Sequence, residues 1–291
     1  MIKCITLDLD GTLLNHKSRI STENKQAIKE AQDHGIEVVV ATGRNYPDVV
    51  ELFKETGIKT WIIGANGATI HTPDGELFHH VAMKHEKGIE LLAWLEDNDY
   101  YYEVFSDDYI YTPQKGKELI KIELDRLCTA NPDLDRQELE KHAEVQYGQT
   151  GFYYISSYKD LVANPINIYN ILAFSFDEKK LEKGWEMFKE DHTVTMVTSG
   201  RFNFEFEHLL ASKGHSLTNL TGHLGISLEE TMAMGDSMND LSMLSKVGYP
   251  VAMGNARDDV KSICKEITDR NDNNGVAKAI HRVLHPLQSA N

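Results

Sequence analysis

Asp8 and Asp10 stand two residues apart in the stretch TLDLDGTLL, with only Leu9 between them. Alternate residues of an extended chain share a face, so the two carboxylates are aimed together. Bare, they would repel, and one would be driven towards its neutral form. A hard cation removes that conflict, and GDSMND supplies a third carboxylate for it at Asp236. Asp8, Asp10 and Asp236 suit Mg2+, which takes a few carboxylates and completes its shell with water and phosphate oxygens. The remaining groups fit a phosphate beside that cation. Thr42 and the Gly43 amide can hold its oxygens, Lys213 adds a point charge and Asn239 an amide donor. In such a site an ionised aspartate can attack phosphorus to give an aspartyl-phosphate while a second acid protonates the leaving oxygen. Phosphoryl transfer asks for little beyond alignment and neutralisation of the equatorial charge.

These groups serve one site only if the fold gathers them. Asp8 and Asp10 end an apolar strand, Thr42-Gly43 ends the β-branched run IEVVVATGR, and Asp236 follows TMAMG. Lys213 begins the helical stretch SKGHSLTNLTGHLGI. Unbroken apolar strands of this kind lie in parallel sheets covered on both faces. A parallel sheet brings the carboxyl ends of its strands together, where ligands bind. Between the first two strands, STENKQAIKEAQDHG reads as a helix capped at Ser21/Thr22 and stopped at Gly35. A helix from Tyr46 to Thr56 and the strand TWIIGANGA continue a β-α-β-α-β rhythm, the pattern of a doubly wound α/β sheet.

From about His85 the texture changes to aromatic-rich strands (YYYEVF, NILAFSF, FNFEFEH) among charged helices, which reads as an α+β unit with an antiparallel sheet. The α/β rhythm returns from Leu209, with MNDLSMLSKVG and NGVAKAIHRVL as helices. The expected division is a discontinuous α/β core, 1–83 with 201–291, interrupted by an inserted domain at 84–200.

Composition narrows the partners. A net charge of −15 over 291 residues disfavours general nucleic-acid binding, which rests on clustered Lys and Arg. A small phosphorylated ligand needs only one local cation. No stretch approaches the roughly 20 apolar residues that span a bilayer, and the first residues lack a signal-peptide pattern. The three cysteines, Cys4, Cys128 and Cys264, lie far apart and fit reduced thiols. The expected location is the cytoplasm.

The segments DLDGTLL, ATGR, SKG and GDSMNDLSML, in that order, resemble the four motifs of haloacid-dehalogenase-superfamily phosphatases. GANGA, AMGNA and NDNNGVAKAI resemble the Cof-type branch, whose Rossmann-like core carries a large inserted α/β cap. The resemblance implies a Mg2+-dependent phosphatase for small phosphorylated metabolites, working through an aspartyl-phosphate. It makes Asp8 the nucleophile and Asp10 the general acid and base. It makes Asp8, Asp236 and the Asp10 backbone carbonyl the metal ligands, with Asp240 behind them. It places the Leu9 backbone, Thr42, Gly43, Lys213 and Asn239 around the phosphate. No motif position is missing.

Two other functions fit the same residues: a phosphomutase on this scaffold, and a non-catalytic phospho-acceptor module with an aspartate at a strand end. Asp10 and the large insertion weigh against the second. Several residues admit ordinary structural readings. Arg44 suits a helix-start salt bridge as well as a catalytic role, and Asn255 a helix cap as well as a loop brace. Tyr100–Tyr102 and Phe152–Tyr154 read as strand packing before a ring-stacking pocket, and Gly64 and Gly67 as turn residues. The histidines show no metal-ligand spacing.

Overall fold

The protein is described here by a computed structural model covering residues 1–148 and 151–285. It divides into two compact units, Met1–His80 with the chain from Leu210 onward, and Val81–Leu209. In chain order the strands are β1 (Cys4–Leu7), β2 (Glu37–Ala41), β3 (Trp61–Gly64), β4 (Thr69–His71) and β5 (Leu77–His80). The second unit contributes β6 (Tyr101–Phe105), β7 (Ile110–Pro113), β8 (Phe152–Ile155), β9 (Asn170–Phe174), β10 (Val194–Val197) and β11 (Asn203–His208). The chain then returns with β12 (Thr231–Gly235), β13 (Tyr249–Ala252) and β14 (Glu266–Ile267).

The first unit is an eight-stranded sheet in the order β14-β13-β12-β1-β2-β3-β4-β5. Its first six strands are parallel, and β4 and β5 extend it in antiparallel fashion. The sequence explains the burial. CITL, WIIG and TMAMG present no exposed side chain on either face, and EVVVA exposes only Glu37. Each fully buried Leu, Val or Ile in such a layer contributes about 1.5–3 kcal/mol. Helix Thr22–Asp33 starts where Ser21 accepts a hydrogen bond from the Asn24 amide, and the chain turns out of it at Gly35, φ 75°. Helix Gly275–Leu284 packs against it through Val276, Ala277 and Ile280.

The second unit is a six-stranded sheet in the order β10-β11-β9-β6-β7-β8. It is antiparallel except for β7 and β8, which run parallel because helices Gly116–Ala130 and Arg136–Tyr147 carry the chain between them. Its alternating residues feed two cores. Tyr102, Val104, Ile171, Ala173, Phe204 and Phe206 face one side, and Tyr101, Phe105, Leu172 and Phe174 the other. This unit is longer than the expected 84–200. Strand β11 lies between β9 and β10 and cannot leave that sheet, so the unit reaches Leu209. At its start the Met83 amide donates to the Ile168 carbonyl at 2.7 Å, which ties Met83 into it as well.

Two smaller expectations change. The helix expected over MNDLSMLSKVG is a single 3-10 turn, Met238–Asp240, followed by the short helix Leu241–Leu244. Tyr100, Tyr101 and Tyr102 are buried packing residues, whereas Tyr153 and Tyr154 stand exposed on the edge strand β8. Among the described residues, no helix is long and apolar enough to cross a membrane.

Candidate active site

Strand order reverses between β1 and β12, since β1 leads on to β2 and β3 on one side while β12 begins the return on the other. The crevice beyond the carboxyl ends of such neighbours is where α/β sheets hold ligands. Asp8 follows β1, its amide donating to the Met234 carbonyl at 3.1 Å, and Asp236 follows β12. Gly11 allows the two loops to meet. Its φ is 81°, and a Cβ there would lie 2.3 Å from Asp236 Oδ2.

Lys213 ties the site together from below. It opens helix Lys213–Leu224, capped by Ser212, whose hydroxyl accepts from the His215 amide at 3.1 Å. Its ammonium is 1% exposed and donates to Asp8 Oδ1 at 2.7 Å and to Asp240 Oδ1 at 2.8 Å. Gly67 admits this helix start, because with φ 103° any Cβ would strike the Ser212 carbonyl oxygen at 2.3 Å. Ser216 Oγ then donates to the Gly67 carbonyl at 2.6 Å. Asp240, fully buried, also accepts from the Asp236 and Ser237 amides at 2.9 and 3.0 Å. Both of its oxygens are therefore engaged, one by Lys213 and one by the loop that carries Asp236.

Asp8, Asp236 and Asp240 each offer an oxygen within 4.8 Å of the others. Asp8 Oδ2 and Asp236 Oδ1 are buried and receive no hydrogen bond. Buried carboxylate oxygens normally have partners, so these two are where a hard cation fits. The electrostatics agree. Burial, then the Asp240 charge, push the Asp8 carboxyl well above its usual range against the pull of Lys213. The same two causes push Asp236 up to about 6. Burial alone would depress the Lys213 ammonium, but Asp240 and Asp8 outweigh it and hold it above its ordinary value.

The remaining candidates surround this cluster. Thr42 is buried, and its hydroxyl oxygen accepts from the Arg44 amide at 3.1 Å. Gly43 lies against Asn66, whose Oδ1 would be 3.1 Å from a Cβ at Gly43. Asn239 donates to that same Oδ1 at 3.1 Å and accepts from Ser237 Oγ at 2.6 Å. Leu9 is fully buried, its carbonyl accepting from the Thr12 and Leu14 amides at 3.2 and 2.9 Å. The Asp10 carboxylate is not drawn into the aspartate cluster; both of its oxygens accept from Arg44 at 2.7 Å. Asn255 is a brace rather than a helix cap. Its amide donates to the Gly11 carbonyl at 2.7 Å and its Oδ1 accepts from the Asn271 amide at 2.9 Å. Sequence reasoning passed over Asn66. The signal was there in GANGA, because asparagine tolerates the left-handed φ of 52° that this turn adopts.

The model of the haloacid dehalogenase-like hydrolases matches residues 5–280. The chain belongs to that family. It is 51% identical over 285 residues to phosphatase YwpJ of Bacillus subtilis, covering 97% of this chain and all of the relative. A second B. subtilis relative, 5-amino-6-(5-phospho-D-ribitylamino)uracil phosphatase YwtE, is 39% identical over 97% of this chain and 98% of its own. A solved haloacid dehalogenase-like hydrolase from B. subtilis superposes with a TM-score of 0.83 at 51% identity, covering 98% of this chain and all of that one. The Cof-type resemblance holds, and this haloacid dehalogenase-like chain is a phosphatase with a parallel α/β core and an inserted α+β unit. A non-catalytic phospho-acceptor module is set aside.

Proposed function

We propose that the protein is a Mg2+-dependent phosphatase that hydrolyses small phosphorylated metabolites through an aspartyl-phosphate on Asp8. The observation that carries this reading is the pair of buried, unpartnered oxygens Asp8 Oδ2 and Asp236 Oδ1 beside a buried lysine. Asp8, Asp236 and the Asp10 backbone carbonyl would hold the cation, while Asp240 fixes the loop behind it. When bound, the cation offsets the charge on the phosphate oxygens.

Lys213 holds the Asp8 carboxylate aligned for its attack on phosphorus. As the Asp8–phosphorus bond forms, the bond to the leaving oxygen breaks, and Asp10 gives that oxygen its proton. Asp10 then takes a proton from water, whose oxygen attacks phosphorus, frees inorganic phosphate and restores Asp8. Thr42, the Gly43 amide and Asn239 steady the non-reacting oxygens.

Adding Mg2+ to metal-free protein should raise the melting temperature, and Asp236→Ala should abolish that shift. A ligand at 100 times its Kd stabilises by about 2.7 kcal/mol, which a thermal melt resolves. Turnover should require Mg2+ and fall when Ca2+, with its looser coordination, replaces it. Full turnover in excess chelator would defeat the metal assignment. The substrate panel should begin with 5-amino-6-(5-phospho-D-ribitylamino)uracil, after the 39% relative, and include hexose and pentose phosphates. The phosphate ester from which inorganic phosphate is released fastest would identify the substrate class.

We assign substrate choice to the unit Val81–Leu209. The first unit has an apolar core built entirely from its own residues. Replacing Val81–Leu209 with a short linker should therefore leave a core that cleaves an aryl phosphate but no longer ranks metabolites as the parent does. An unchanged ranking would take selectivity away from that unit.

A further inference from the structure

We propose that Arg44 is a positioning residue for this reaction: it holds the Asp10 carboxylate in one plane, and Asp48 holds Arg44. The proposal rests on Asp10 being the acid and base. Arg44 Nε donates to Asp10 Oδ2 and Nη2 to Asp10 Oδ1, both at 2.7 Å. A two-point fork of this kind fixes a carboxylate's rotation as well as its place. The third corner of the guanidinium, Nη1, donates to Asp48 Oδ2 at 2.6 Å, one helical turn further on in helix Tyr46–Phe53.

The clamp has a firm base. The Arg44 amide is tied to Thr42 Oγ1 at 3.1 Å, and its carbonyl accepts from the Ala65 amide at 2.9 Å. Its backbone therefore joins the loop after β2 to the turn after β3. The Arg44 and Asp48 side chains are only 27% and 17% exposed, unlike a solvated surface pair. Asp10 is the loose member, with its side chain 54% exposed. Among the described residues, nothing but Arg44 hydrogen-bonds its carboxylate. Without the fork, Asp10 would be free to turn about its side-chain bonds. Proton transfer needs the two heavy atoms within about 2.6–3.2 Å, and a misplacement of about 1 Å costs on the order of 10²-fold. Lysine keeps the charge but offers a single point of contact, so it cannot set the plane.

The test compares Arg44→Lys, Asp48→Asn and Asp10→Asn on nitrophenyl phosphate and on an alkyl phosphate such as glycerol phosphate, with thermal melts to confirm folding. Arg44→Lys should lower kcat/KM on the alkyl ester ~10²-fold and leave kcat/KM on the aryl ester within a few-fold. Asp48→Asn should move kcat/KM in the same direction by less. Added guanidinium should restore part of the alkyl rate to Arg44→Ala. A rise in KM with kcat unchanged would make Arg44 a substrate contact and overturn the proposal. Equal losses on both esters, or no loss on either, would overturn it too. A split between esters in Asp10→Asn but none in Arg44→Lys removes only the clamp. No split in Asp10→Asn removes the acid–base reading, and the clamp with it.

Discussion

Asp8→Asn should abolish turnover, whereas Asp10→Asn should slow it and let a phosphorylated enzyme accumulate. The two aspartates are two residues apart but stand in different surroundings. Asp8 is buried, one oxygen held by Lys213 and the other without a partner. An amide there is a poor nucleophile and loses the charge that Lys213 faces, so no aspartyl-phosphate forms. Asp10 is half-exposed and faces Arg44. Its amide variant leaves Asp8 able to attack but removes the proton donor. General acid–base help is worth ~10²–10⁴-fold, so loss of this size is expected for alkyl phosphates. The deficit in kcat/KM should shrink for nitrophenyl phosphate, whose leaving group departs with little protonation. Hydrolysis of the intermediate still lacks its base, so intact-protein mass spectrometry of Asp10→Asn mixed with an aryl phosphate should show one added phosphoryl group. Equal damage to both esters, with no phosphoenzyme, would remove Asp10 from the acid–base role.

The part of this arrangement legible in the sequence is the part written in local chemistry. Apolar β-branched runs ending in Asp, Thr-Gly and Gly-Asp announced parallel strands with functional groups at their carboxyl ends, and β1, β2 and β12 carry them there. What stayed hidden depends on which side chain meets which across the fold. Arg44 reaches Asp10 over 34 positions, and Asn239 reaches Asn66 over 173. Nothing in the spacing of either pair encodes the meeting. The edge extension by β4 and β5 was missed because TIH and LFHH are too short to show a period. The Gly200 boundary failed for a related reason. A change in composition marks where the texture of the chain shifts, but FNFEFEH belongs to the sheet it pairs with.

Lys213→Met should cost about 3–5 kcal/mol of folding stability, the range found when one partner of a buried ion pair is removed. The lysine is 1% exposed, and its two partners, Asp8 and Asp240, are 6% and 0% exposed at their side chains. Methionine fills similar volume, so the loss comes from two buried carboxylates left facing each other without a countercharge. The penalty carries a pH signature. Asp8 is already pushed above its usual range by burial and Asp240, and Lys213 is the group that pulls it down. Removing Lys213 raises the folded-state value further. A carboxyl whose folded value exceeds its unfolded one keeps its stability at low pH and loses it as pH rises through the folded value. Denaturant unfolding in chelator should accordingly show a smaller deficit near pH 5 than near pH 8. Lys59→Met is the control, because Lys59 and Asp74 form an ion pair that is 74% and 78% exposed. Such pairs often contribute nothing measurable, so this variant should unfold with the parent at both pH values. A Lys213→Met protein as stable as the parent at pH 8 would mean that the two carboxylates were never charged together, and that the lysine does not hold the site in register.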